Sequence, residues 1–194
     1  MKFTTIYTPV TTAFASMTKK ELSDFYDDFI LNVPYCLDEL IQDVWRTPGF
    51  ESWSADFSPE SLEVLGEWFV TKIKKRYLDL DEIEEVRSLT VSQVSSVAWD
   101  LADEEKSLAV QVGMYYGEVA IRNSSSLGWE QLKGSKKLAD YGQPVITGPG
   151  VIATNPVRVA NAFAWGIADG SRTGSRLRET YDYWMKLISD SQMI

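Results

Sequence analysis

Arg172, Arg176 and Arg178 fall within seven residues of one another near the end of the chain. Clustered guanidinium groups hold a carboxylate or a phosphate through paired N–H donors, so Arg172 and Arg176 are candidate contacts for an anionic group on a partner. The competing reading is structural: the same arginines dock onto the acidic N-terminal half. Glu118 and Arg122, four apart, form an ion pair on a helix worth about 0.3 kcal/mol. Trp129 stands between a loop and a strand, where an indole can stack a ligand or anchor an interface. Gly148-Pro149-Gly150 precedes a helix start at Asn155, with Arg158 one turn in. A helix N-terminus attracts anions. The spacing of a dinucleotide or P-loop fingerprint is missing, however, and a hairpin turn accounts for the glycines. Glu118, Arg122, Trp129, Arg158, Arg172 and Arg176 are therefore the candidate binding residues.

Other chemistry is thinner. Asp79-x-Asp81-Glu82-x-Glu84-Glu85 is the densest acidic run. A divalent cation needs oxygens converging on one point, and an EF-hand loop needs a glycine at its sixth position that is absent here. A solvated turn is the expectation, with no metal and no cofactor. Cys36 lies in a helical stretch without a histidine partner and reads as a packed thiol. Paired carboxylates can hydrolyse glycosides, but sequence alone places no two of them at the required separation.

The 194 residues include 19 Lys/Arg, 28 Asp/Glu, no His and a single Cys, for a net charge of −9. That composition excludes a disulfide framework, a Cys/His zinc site and any histidine-dependent triad. No catalytic residue is assigned. A net acidic chain is poorly suited to neutralising nucleic-acid phosphates. Nor does any stretch approach the roughly 18 apolar residues of a membrane span. The first residues, MKFTTIYTPVTTAFASM, contain no unbroken apolar run, so no signal peptide and a cytoplasmic location are expected. Asn123-Ser124-Ser125 then matches a glycosylation acceptor by chance. Residues 1–110 carry net −11 and residues 111–194 net +2. The acidic half reads either as solvated helix faces or as a landing surface for a basic protein partner.

Several elements must position these residues. Thr18-Lys19-Lys20-Glu21 is a capping box. Leu22, Phe25, Tyr26, Phe29, Ile30 and Val33 follow at helical spacing until Pro34, which is expected to end or kink that helix. Leu37, Leu40, Ile41, Val44 and Trp45 make a second stripe, stopped by Thr47-Pro48-Gly49. Ser58-Pro59-Glu60 opens a third, Leu62 to Tyr77, with Lys72, Lys74, Lys75 and Arg76 in its last turns. Thr90-Val91-Ser92-Gln93 is another capping box, and Asp103-Glu104-Glu105 opens a helix to about Arg122. Gly113 and Gly117 lie on one face of it, which implies close approach of another backbone.

Beyond Asn123 the pattern changes. The Trp129 segment and the runs Pro144–Thr147 and Val151–Thr154, the latter two flanking Gly-Pro-Gly, suggest about three antiparallel strands. Asn155-Pro156 opens a helix that stops at Asp169-Gly170, and a last helix begins near Thr173 or Ser175. The expected fold is a single α+β domain over 1–194, mostly helical, with a small antiparallel sheet in the C-terminal half.

Gly113-Met114-Tyr115-Tyr116-Gly117-Glu118-Val119, then Gly128-Trp129-Glu130, a hairpin and an Asn155-Pro156 helix together resemble a group of small uncharacterised bacterial α+β domains. Some of these look like immunity proteins of bacterial toxin systems. The resemblance covers residues 108–170 and implies no catalytic residue. The functional expectation is a non-enzymatic bacterial protein that works by protein–protein contact. The alternative is a small-molecule or carbohydrate-binding protein, or a carboxylate-dependent hydrolase. Oligomeric state is left open.

Overall fold

The computed structural model describes residues 14–89 and 98–191, with side chains for 14–84 and 98–188. The second capping box, Thr90 to Gln93, lies outside the described residues. At Thr18 the first box is complete: its hydroxyl accepts from the Glu21 N–H, and the Glu21 carboxylate accepts from the Thr18 N–H at 2.7 Å.

From that start α1 runs unbroken from Lys19 to Trp45, straight through Pro34. Of the two expected outcomes at Pro34, an end to the helix does not occur. An internal proline costs about 3 kcal/mol. On one side of it Leu22, Phe29 and Val33 are buried; on the other, Cys36, Leu37, Leu40 and Val44. Each such side chain returns roughly 1.5–3 kcal/mol, so one continuous buried stripe outweighs the lost backbone bond. Pro34 itself faces solvent.

The next helix, α2 (Ser61–Lys72), starts two residues after Pro59, with the Ser58 hydroxyl accepting from the Ser61 N–H at 3.2 Å. It stops at Lys72, so Lys74, Lys75 and Arg76 lie beyond it rather than in its last turns. Arg76–Tyr77 is instead a short strand, β1, paired antiparallel with β2 (Trp99–Asp100). Between them α3 (Leu80–Leu89) occupies the acidic run expected as a turn. Its start is a reciprocal cap: the Glu82 N–H donates to the Asp79 carboxylate, and the Asp79 N–H donates to that of Glu82.

Helix α4 (Asp103–Asn123) is the central element, buried on nearly every side from Ser107 to Ala120. It packs on α1, on α5 (Pro156–Asp169), on α6 (Arg176–Ser191) and on β4 (Pro144–Thr147). Gly113 is why α5 comes so close: a Cβ there would lie 2.6 Å from the Val157 Cα and 2.9 Å from the Pro156 carbonyl oxygen. Asn155 caps α5 by accepting from the Arg158 N–H at 3.0 Å, and Gly170 (φ 83°) ends it.

β3 (Gly128–Gln131) pairs antiparallel with β4, setting Trp129 opposite Ile146. The sheet has two strands, not three. Residues 151–154 pair with β4 along the backbone only at Thr154, through two bonds to Ile146 of 2.8 and 2.9 Å, and Val151 adds only a carbonyl accepting from the Thr147 hydroxyl at 3.3 Å. Asn155 must leave the ladder there to cap α5 and to donate to Asp140 and Gln143. The architecture is α+β, mostly helical, with two small antiparallel sheets. One apolar cluster joins α1, α2, α4, α5 and α6, with Trp68, Tyr115, Tyr116, Phe69 and Phe163 among its largest buried members. Among the described residues no helix is long and apolar enough to cross a membrane.

Candidate functional site

The buried stripe of α1 leaves the opposite face to water. Along it Asp24, Asp28, Leu31, Tyr35, Asp38, Gln42 and Trp45 are all exposed. Their spacing alternates four and three, which keeps a row of side chains on one line of a helix. At 1.5 Å per residue the row spans about 32 Å. From Glu21 to Trp45 the helix carries seven carboxylates and no cation. Cations enter only at the two ends, where Lys20 meets Asp24 at 2.9 Å and Arg46 meets Asp43 at 3.7 Å. Asp28 and Asp38 have no ion-pair partner among the described residues. Between these two acids Leu31 is 66% and Tyr35 64% exposed.

The six candidate residues of the sequence reading divide into separate settings. Glu118, Arg122 and Trp129 do come together. The Trp129 indole N–H donates to Glu118 Oε1 at 3.0 Å, and Arg122 Nε reaches Glu118 Oε2 at 3.4 Å. The Arg122 guanidinium lies 3.5 Å from the centre of the Phe57 ring, which stacks on Tyr115 at 4.8 Å. Phe57 has a positive φ of 58°, a strained conformation for a bulky residue, and the Asn123 side chain holds its carbonyl at 2.7 Å. The Trp129 ring covers Gly117 and meets Phe29 edge-on at 5.3 Å. All three side chains thereby clamp the end of α4 to its surroundings.

Arg158 is bound to Asp140 at 2.9 Å, and Asp140 is buried and also accepts from Asn155. Arg172 lies across Gly166, and Arg176 pairs with Glu179 one turn along α6. Arg178 is the arginine that reaches the acidic half, meeting Glu60 at 3.1 Å and Asp182 at 2.8 Å. In the acidic run, Arg76 Nη1 holds both oxygens of Glu82 at 2.9 and 3.0 Å. Among the described residues no three His, Cys, Asp or Glu side chains are placed to share a metal ion. Cys36 is buried, and burial together with the Glu39 charge pushes its thiol up to about 11. A thiol held protonated inside a core is a packing group.

A depression of about 630 Å³ runs beside β3, lined by Tyr26, Asp27, Trp129 and Glu130 among others. Tyr26 donates its hydroxyl to the Trp129 carbonyl at 2.9 Å. Burial pushes that phenol upward, and the nearby Glu130 and Asp27 carboxylates add to the effect.

The sequence reading left Leu31 and Tyr35 outside its apolar stripes without marking them as an exposed pair, because it divided the helix at Pro34, between them. The usable signal was the continuity of the helix, which sets the two residues on the line opposite Val33 and Leu37. No known protein family, curated protein or solved structure matches this chain.

Proposed function

We propose that the protein works by protein–protein contact, with the outer row of α1 as its docking face and a partner of basic surface. The supporting observation is the coincidence, on one line of α1, of unpaired acids with two exposed apolar side chains. Scattered exposed apolar residues are ordinary on a soluble protein. Leu31 and Tyr35 are not scattered: they stand one turn apart, flanked by Asp28 and Asp38. Apolar anchors supply binding energy when a partner covers them, while the acids around them steer a cationic surface and reject an acidic one. The resemblance over residues 108–170, which leaves α1 outside it, favours an inhibitory, immunity-type form of this partner role.

The test compares partner capture from the protein's own cells by the wild type and by two paired variants. Leu31→Ala with Tyr35→Ala should abolish capture of the bound protein. Asp28→Asn with Asp38→Asn should slow association and flatten its salt dependence, since screening acts over about 8 Å at physiological ionic strength. A captured protein that both variants retain unchanged, or no captured protein at all, overturns the reading.

A second reading has its own support. Tyr26, Asp27 and Glu130 around one depression are the residue types that hold a hydroxyl-rich ligand, a ring against a sugar face and carboxylates on hydroxyls. Saturable binding of an oligosaccharide, lost in Glu130→Ala and kept in Leu31→Ala, would favour it over the docking face.

A further inference from the structure

A second hollow adjoins the depression beside β3 on the side toward the start of α1, sharing Ser23, Gln131, Leu132 and Lys133 with it. This cavity of about 530 Å³ lies between the first turns of α1 and the 132–142 loop. Its lining includes Lys19, Ser23, Gln131, Leu132, Lys133 and Tyr141, and no carboxylate. In a chain of net charge −9 that is a local inversion. We infer that this cavity binds a small organic phosphate, with Lys19 and Lys133 holding the phosphate dianion. The inference rests on neither reading under Proposed function.

The two lysines come from elements 114 residues apart in sequence and meet at one opening. Neither ammonium group has an ion-pair partner among the described residues. Asp27 and Glu130 line the adjoining depression that Lys133 also borders, and neither belongs to the lining of this cavity. Glu21 turns back onto the Thr18 N–H, and Asp24 is held by Lys20. Asp28, the first unpaired member of the outer row, stands nine residues beyond Lys19, or about 13 Å along the axis. Within the cavity lining itself the charged side chains are Lys19 and Lys133.

The walls are already built. The Gly142 N–H donates to the Leu132 carbonyl at 2.7 Å and the Leu132 N–H to the Gln143 carbonyl at 3.0 Å. The Gln131 side-chain amide donates to the carbonyls of Leu22 and Gly142, tying β3 to α1 under the cavity. Lys136 Nζ reaches the Ala15 carbonyl at 2.8 Å and closes the loop over the start of α1. At the far end of the loop, buried Asp140 is locked to Asn155 and Arg158. Because α1 is capped by its own Thr18 and Glu21, anion capture here falls to side chains rather than to free helix N–H groups.

The ligand class follows from charge and size. Two ammonium groups match a dianion, and lysine binds phosphate as a point charge. The volume falls in the range of about 300–1,000 Å³ typical of small-molecule sites, and far exceeds one phosphate ion. Leu22, Leu132 and the half-buried Tyr141 ring leave an apolar wall for an organic body.

Calorimetric titration of the full chain with adenosine 5′-monophosphate, inorganic phosphate and adenosine tests the assignment. The expected result is saturable binding of the monophosphate, weaker binding of inorganic phosphate and none of adenosine. Lys19→Gln with Lys133→Gln should weaken the monophosphate by about tenfold or more, the loss of charge-assisted hydrogen bonds. Lys186→Gln, an exposed lysine on α6, should leave it unchanged. Both positions in the double variant are exposed, and an unaltered melting curve shows that it folds. Absence of saturable binding by either phosphate overturns the site, as does equal weakening by Lys186→Gln. The docking face is unaffected by these outcomes, because partner capture is read through Leu31 and Tyr35.

Discussion

Two long helices of this protein meet opposite demands. α4 is enclosed by α1, α5, α6 and β4, and is buried on nearly all sides although its sequence includes Ser107, Gln111 and two glycines. α1 buries one stripe and offers water a row of acids interrupted by Leu31 and Tyr35. The enclosed helix is constrained by shape, so small residues stand where neighbours approach. The half-exposed helix is constrained by shape on one face only, and on the other its charge is free to serve recognition. Substitutions on α4 should therefore act on stability, and substitutions at Leu31 and Tyr35 of the outer row of α1 on binding.

The sharpest test is Gly113→Ala. The added methyl would meet the backbone of α5, which cannot rotate away as a side chain does. A loss of about 3 kcal/mol or more is expected, read as a fall in the thermal midpoint by circular dichroism. A variant that melts with the wild type would break the contrast at its strongest point. Gly117→Ala comes next. Its methyl would lie 2.4 Å from the Trp129 ring, which must shift and abandon its bond to Glu118. The expected cost is about 1–3 kcal/mol, with a changed indole N–H resonance for Trp129.

Alkaline pH probes the enclosed groups together. Burial holds the Cys36 thiol at about 11 against an ordinary value near 9, and raises the phenols of Tyr115, Tyr116 and Tyr181. A raised folded value means that the folded chain keeps its proton while the unfolded chain loses it. Stability is then complete below about pH 9 and falls as pH rises toward 11. Urea midpoints measured across that interval should decline, and less steeply in Cys36→Ala. A flat profile would show that these groups are not enclosed.

Tyr116→Phe has a smaller effect of opposite sign. The Tyr116 ring packs against Tyr181 and Trp184, and its buried hydroxyl has no hydrogen-bond partner among the described residues. Removing an unpaired buried hydroxyl should leave stability unchanged or raise it by about 1 kcal/mol, measured by urea unfolding. Last, Leu31→Ala with Tyr35→Ala should alter the urea midpoint by no more than about 0.5 kcal/mol equivalent, while eliminating partner capture. A large loss of stability would show that the outer row belongs to the core.

Much of the helical framework was legible because its signals are local. Thr18 and Glu21 cap within one turn, Asn155 and Pro156 start α5, and Gly170 stops it. The spacing of Gly113 and Gly117 announced a close neighbour, and both face one: a backbone at Gly113 and a ring at Gly117. The misreadings came where distant parts of the chain compete with a local rule. Pro34 obeys the burial on both sides of it rather than its own helix-breaking tendency. Residues 151–154 have strand composition, yet the demands of Asn155 on Asp140 and Gln143 shorten the pairing to one bridge. The candidate site residues fared unevenly for the same reason. Glu118 and Arg122 were readable as a pair, but not that Trp129 would complete it, and nothing in its local sequence set Lys133 apart.

Charge inventory, the lack of histidine, helix starts and the apolar stripes are written in the sequence, since each depends on residue type or on neighbours within a turn. Which acids stay unpaired, which apolar residues remain outside, and which lysines share a cavity were decided only by the tertiary structure. Those outcomes depend on what stands across a few ångströms of space, and residues as far apart in the chain as Lys19 and Lys133 become neighbours only when burial of the common core brings their elements together.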